Sequence, residues 1–243
     1  MADSAFLTGL REVPLDSILS KCPNLESIIG NSGSAYDVGT SHNTRREFLY
    51  YVSGPNGNFF VKAYQTKEEK EVLSAVPEDF SLLVRAEPNY FVQHKAPKSY
   101  NSISSLVQDG EIKPEDAGKI YADAFKYLSE KGLTFNGSLA DDIFYDRNKG
   151  DFIVVDFGEI TFYHADKSRI RNSLMQAIDD LTGIYEQDSS QAESALRAFN
   201  ENLGKEYADL FKEAISVKCN MMEPHSSLQN VKSTILMLSN FLA

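Results

Sequence analysis

Apolar residues alternate with polar ones in short runs through the first third of the chain, then recur every three or four positions through most of the rest. The first pattern predicts strands and the second predicts amphipathic helices. Within residues 1–24, which read as a leader, Leu15 to Leu19 is one short amphipathic segment. Ile28 to Val38 reads as strand, glycine turn, strand, with Gly30 and Gly33 in the turn. Phe48 to Val52 and Phe59 to Tyr64 predict two further strands joined by the turn Ser53 to Asn58. Thr66-Lys67-Glu68-Glu69 is a capping-box pattern, and the helix it opens stops before Pro77 with Val72, Leu73 and Val76 on its apolar face. Ser81 to Ala86 and Tyr90 to Gln93 predict a strand pair around Glu87-Pro88-Asn89. Ile103 to Val107 predicts a short helix. Pro114 starts a long one whose stripe is Ala117, Ile120, Tyr121, Ala124, Phe125 and Leu128, ending near Gly132. A hairpin of Ile143 to Tyr145 and Phe152 to Asp156 follows. Helices are then expected over Asn172–Tyr185, Ala192–Asn202, Tyr207–Val217 and Val231–Leu242.

Composition narrows the class. The chain has 243 residues, 42% of them hydrophobic and 24% charged, which is ordinary globular material with enough length for a real core. The net charge of −11 argues against general nucleic-acid binding, which needs a basic face. No apolar run approaches the roughly 20 residues needed to span a bilayer. The start Met1-Ala2-Asp3-Ser4 lacks the basic and apolar regions of a secretory signal. Cys22 and Cys219 lie far apart without metal-type spacing and read as reduced structural thiols. His42, His94, His164 and His225 lie in polar contexts, and no Gly-x-Ser-x-Gly elbow occurs, so Ser-His-Asp hydrolysis is not supported.

Two features carry candidate chemistry. The apolar run Phe152-Ile153-Val154-Val155 ends in Asp156-Phe157-Gly158, which reads as a buried strand delivering a carboxylate to its tip. A carboxylate there suits a magnesium ion beside nucleotide phosphates. Upstream, Lys62 sits among apolar residues of a predicted strand, where an ammonium group must find a partner or solvent.

Taken in order, these parts resemble the protein-kinase-like superfamily over about residues 25–165, in a compact form like small bacterial effector kinases or pseudokinases. The resemblance implies an α+β, two-lobed fold. A mainly β N-lobe would span residues 25–95 and a mainly α C-lobe residues 96–243. It implies ATP and magnesium as cofactors. Gly30, Gly33 and Ser34 look like the phosphate-covering loop, with Val38 over the adenine. Lys62 looks like the phosphate-gripping lysine and Glu69 like its helix partner. Gln93, His94 and Lys95 look like the hinge that meets the adenine edge. Phe135-Asn136-Gly137-Ser138-Leu139-Ala140-Asp141-Asp142-Ile143-Phe144 aligns with the catalytic loop. That alignment puts Gly137 at the base position, Asp142 at one metal position and Asp156 at the other. Asp141 is the candidate substitute for the base.

No Ala-Pro-Glu segment follows. Three functions stay open: phosphoryl transfer to a protein, a partner-binding pseudokinase, and nucleotidyl transfer. Implied partners are ATP, a protein substrate or binding partner, and an activating protein. The implied location is the cytoplasm, or the host cytosol for an injected effector.

Overall fold

A computed structural model describes residues 9–39, 46–163 and 166–222. The helix expected over Val231–Leu242 lies outside the described residues. The chain divides into two compact units, residues 1–97 and 98–243.

The small unit is built on one antiparallel sheet. Its strands are β1 (Arg11–Val13), β2 (Ser34–Asp37), β3 (Leu49–Gly54), β4 (Gly57–Ala63), β5 (Leu83–Ala86) and β6 (Tyr90–His94), in the order β1-β2-β3-β4-β6-β5. The register Tyr50↔Val61↔Val92 fixes which residues share a face. Tyr50, Val52, Phe59, Val61, Tyr90 and Val92 form a buried cluster with Ile18, Cys22, Leu25 and Ile29. Ile18 belongs to helix α1 (Leu15–Leu19), and Leu25 and Ile29 to α2 (Leu25–Ile29). The stretch before residue 25 therefore supplies both an edge strand and part of this core. Helix α3 (Lys67–Ala75) begins at the expected cap, with Glu69 N–H donating to Thr66 Oγ1 at 3.1 Å. A short α4 (Glu78–Ser81) leads into β5.

Ile28 and Ile29 end a helix, where the sequence suggests a strand. Leu25 and Ile29 lie four apart and both are buried in the sheet's core cluster, so helical spacing serves their burial. Gly30 then leaves the helix at φ 92°.

The large unit is mainly helical. It runs β7 (Tyr100–Ser102), α5 (Ile103–Gln108), α6 (Pro114–Glu130), β8 (Leu133–Phe135), β9 (Ile143–Asp146), β10 (Asp151–Val154) and β11 (Ile160–Phe162), then α7 (Lys167–Ile184), α8 (Ser189–Leu203) and α9 (Ala208–Met222). Strands order as β10-β9-β7 and β11-β8. The predicted stripe of α6 is buried, and Phe125 meets Phe199 of α8 edge-on. Gly118 permits close backbone approach, because a Cβ there would lie 2.0 Å from Ala195 O. Asp166 caps α7 through Ser168 N–H, and Asp188 caps α8 through Ser190 and Gln191 N–H. The fold class is α+β, as expected from the sequence.

Candidate functional site

Candidate residues fall on both units. On the small unit, β4 carries Lys62 on the sheet face opposite the α1–α2 core. Lys62 is buried, and its Nζ lies 5.8 Å from the Phe60 ring centre and 5.9 Å from that of Phe91. Glu69 is fully buried, and its carboxylate has a different partner from the one expected. Arg46 Nη1 donates to Oε2 at 2.9 Å and Nη2 to Oε1 at 2.7 Å. Gln65 N–H adds a third bond at 2.8 Å. Arg46 also lies over the Phe91 ring, at 5.4 Å from its centre. Arg46 and Lys62 thus share one aromatic surface, and Glu69 neutralises the arginine. A planar two-pronged guanidinium fits a buried carboxylate better than an ammonium does.

Gly30 and Gly33 stand where side chains do not fit. A Cβ at Gly30 would meet Pro55 Cδ at 2.9 Å, and one at Gly33 would meet Ser53 O at 2.3 Å. Asn56 Nδ2 donates to Ile28 O at 2.9 Å. Gly30 and Gly33 therefore let α2 dock on the β3–β4 turn, and Ser34 begins β2. Val38, just beyond β2, is buried and its N–H donates to Leu49 O at 2.9 Å. At the end of β6, Gln93 Nε2 donates to Ser81 O at 2.6 Å. His94 N–H donates to Leu82 O at 2.8 Å and Lys95 N–H to Asn58 O at 3.0 Å. The two N–H groups nearest the proposed hinge thus serve the small unit itself.

On the large unit, residues 136–142 form a braced loop. Phe135 N–H donates to Ser173 Oγ at 3.0 Å, and Ser173 Oγ donates to Phe135 O at 2.7 Å. Leu139 N–H donates to Asp180 Oδ2 at 2.9 Å. Tyr121 Oη donates to the same oxygen at 2.6 Å. Burial, with the Asp180 carboxylate beside it, pushes the Tyr121 phenol well above its ordinary pKa, so it stays a donor. Asp180 was not among the sequence candidates. An Asp in register with the buried stripe of a predicted helix is the signal that would have found it, since burial requires a partner.

Val155 N–H donates to Asp142 O at 3.0 Å, which lays the segment carrying Asp142 beside the one carrying Asp156. Gly158 N–H donates to Asp156 Oδ1 at 3.0 Å and sets that carboxylate. Among the described residues no group of three or more His, Cys, Asp or Glu is placed to hold a metal. Two carboxylates fit magnesium better than a metal that needs a full protein cage, because magnesium keeps waters and phosphate oxygens as ligands. Asp141 is exposed. With Ser138, Asp180, Glu186, Asp188 and Gln191 it helps line a cavity of about 540 Å³.

No protein-family model matches the chain. No curated protein matches it. Among solved structures it is similar to WbdD, described as a co-crystal with the kinase inhibitor LY294002, at 13% identity over 68% of this chain and 48% of that one, with a TM-score of 0.40. It is similar to the Rad53 kinase domain with SCD2 at 17% identity over 61% of this chain and 65% of that one, with a TM-score of 0.39. A second WbdD structure, described as a bifunctional kinase-methyltransferase, gives 14% identity over 68% of this chain and 44% of that one, with a TM-score of 0.39. The chain thus spans between 44% and 65% of the length of these structures.

Proposed function

We propose that the chain binds ATP with magnesium and transfers the γ-phosphoryl group to a protein hydroxyl. The observation that carries this reading is the Val155–Asp142 bond, which pairs two carboxylate-bearing segments at the end of a strand. Asp142 and Asp156 would hold the magnesium. When bound, the ion neutralises charge on the phosphate oxygens. Lys62 would bind phosphate oxygens. Glu69 would position Lys62 indirectly, through Arg46 and their shared Phe91 ring. Val38 and the strand end at Gln93, His94 and Lys95 would border the base. Gly30, Gly33 and Ser34 would approach the phosphates from the connection between α2 and β2. The acidic cavity would seat the acceptor beside Ser138 and Asp141.

A second reading is a nucleotide-binding module without transfer, in which the chain acts by holding a partner protein. Gly137, with no side chain at the base position, favours it.

A thermal melt with and without ATP and magnesium tests the nucleotide site. Ligand at 100 times its dissociation constant adds about 2.7 kcal/mol of stability. The expected result is a magnesium-dependent shift in the wild type that Lys62→Ala and Asp156→Ala both lose. An unchanged shift in either variant refutes the assignment of that residue.

A further inference from the structure

The backbone around Glu159 is fixed from both sides. Asn136 N–H donates to Glu159 O at 2.9 Å, and Ile160 N–H donates to Phe157 O at 3.1 Å. Ile160 also pairs with Phe135 in the β8–β11 ladder. These bonds lay residue 159 across the start of the 136–142 loop. A Cβ built on Gly137 would lie 2.7 Å from Glu159 Cγ, 3.0 Å from its Cβ and 3.1 Å from its carboxyl carbon Cδ. The carboxyl carbon of an aspartate sits about 1.5 Å from its own Cβ, an ordinary C–C bond length. An aspartate at position 137 would therefore compete with the Glu159 side chain for the same volume. The chain has a glycine where a carboxylate is expected and a glutamate whose side chain fills the space above that glycine.

We propose that Glu159 supplies the proton acceptor that position 137 lacks. This rests on the phosphoryl-transfer reading above. In the step, the acceptor hydroxyl oxygen forms a bond to the γ-phosphorus of ATP. The bond from that phosphorus to the β–γ bridging oxygen breaks, and its electron pair leaves with ADP. The hydroxyl proton passes to the Glu159 carboxylate and from there to solvent. A carboxylate side chain is a competent general base for such a step. Asp141 is the rival. It lies on the cavity wall, next in the chain to Asp142, whose carbonyl accepts from Val155 N–H.

The test uses the full chain with MgATP and water as the acceptor, read as phosphate release, with the thermal shift measured alongside. Glu159→Gln keeps the side chain's shape over Gly137 and removes only its basicity. It is expected to lower kcat by about 10²–10⁴-fold, the usual worth of general base catalysis, while leaving KM for ATP and the thermal shift in place. The exchange Gly137→Asp with Glu159→Gly is expected to recover at least tenfold over Glu159→Gln. Full activity in Glu159→Gln overturns the proposal. Loss in Asp141→Asn with none in Glu159→Gln also overturns it and gives the role to Asp141. A wild type that binds MgATP yet releases no phosphate overturns both this step and the transfer reading. A wild type that shows no shift overturns the nucleotide site itself, and this proposal with it.

Discussion

Glu69→Leu is expected to unfold the small unit far more readily than a surface substitution would. The side chains of Arg46 and Glu69 are 1% and 0% exposed, and they meet through two parallel bonds. Removing the carboxylate takes two hydrogen bonds and the counter-charge from a buried guanidinium, and leaves Gln65 N–H without its acceptor. Breaking one partner of such a pair costs about 3–5 kcal/mol. Whole-domain stability is typically about 5–15 kcal/mol, so the loss is a large fraction of the total. Arg46→Met with Glu69→Leu should recover most of it, because two apolar side chains carry no uncompensated charge. The two units need not unfold together, so the assay must report on the small one. Cys22, fully buried in the core shared by α1, α2 and the sheet, serves as that probe. Its pulsed alkylation across a urea series, in a Cys219→Ser background, gives the midpoint. A shift of less than about 1 kcal/mol for Glu69→Leu, the range of exposed ion pairs, would refute the claim that this pair is a buried structural element.

Gly118→Ala should destabilise the large unit by about 3 kcal/mol, measured by urea denaturation, because the added methyl meets the α8 backbone rather than a movable side-chain end. Gly183→Ala should do the opposite and raise stability by about 0.5 kcal/mol, since a Cβ there meets open space near the end of α7. Burial pushes the Cys22 thiol up to about 11. Native protein should therefore resist iodoacetamide at pH 8, while unfolded protein reacts. The raised thiol pKa also means that between about pH 8.5, the free-thiol value, and the folded value the unfolded state binds fewer protons, so small-unit stability falls as pH rises through that window. A stability that rises there would contradict the burial of Cys22. Asp188→Ala should lower the melting point by removing the cap on Ser190 and Gln191 N–H. Because the Ser190 hydroxyl, followed by the Gln191 and Ser190 N–H groups, holds the Asp188 carboxyl below the usual carboxylate range, the cap's contribution is present at neutral pH and fades as pH falls through the acid range.

Long elements with a clear period were legible in the sequence. The cap at Thr66, the start at Pro114 and the stripe through Leu128 all stand where the pattern put them. The three-residue strands β7, β8 and β11 were not legible, because three positions cannot establish alternation. The α2 helix was misread for a related reason. Two adjacent isoleucines before a glycine look like a strand unless Leu25 is known to share their burial. At the candidate site, residue types were readable but partners were not. Arg46 lies 23 positions from Glu69 and Glu159 lies 22 positions after Gly137 in the chain, and no local spacing rule links either pair. Asp180 reaches Leu139 across 41 positions. Such pairs exist only once the chain has folded.

The bonds from Ser173 and Asp180 have a further implication for timing. The 136–142 loop hangs from a helix whose inner face is core, so its shape is set when the large unit folds. Only residues 163–166 separate β11 from α7. A long segment that could be chemically marked, and then swing to assemble or dismantle this loop, does not fit in four residues. Under the transfer reading proposed above, a change in that connection would have little chain through which to reshape the loop. For this half of the site, being folded and being ready would be one event.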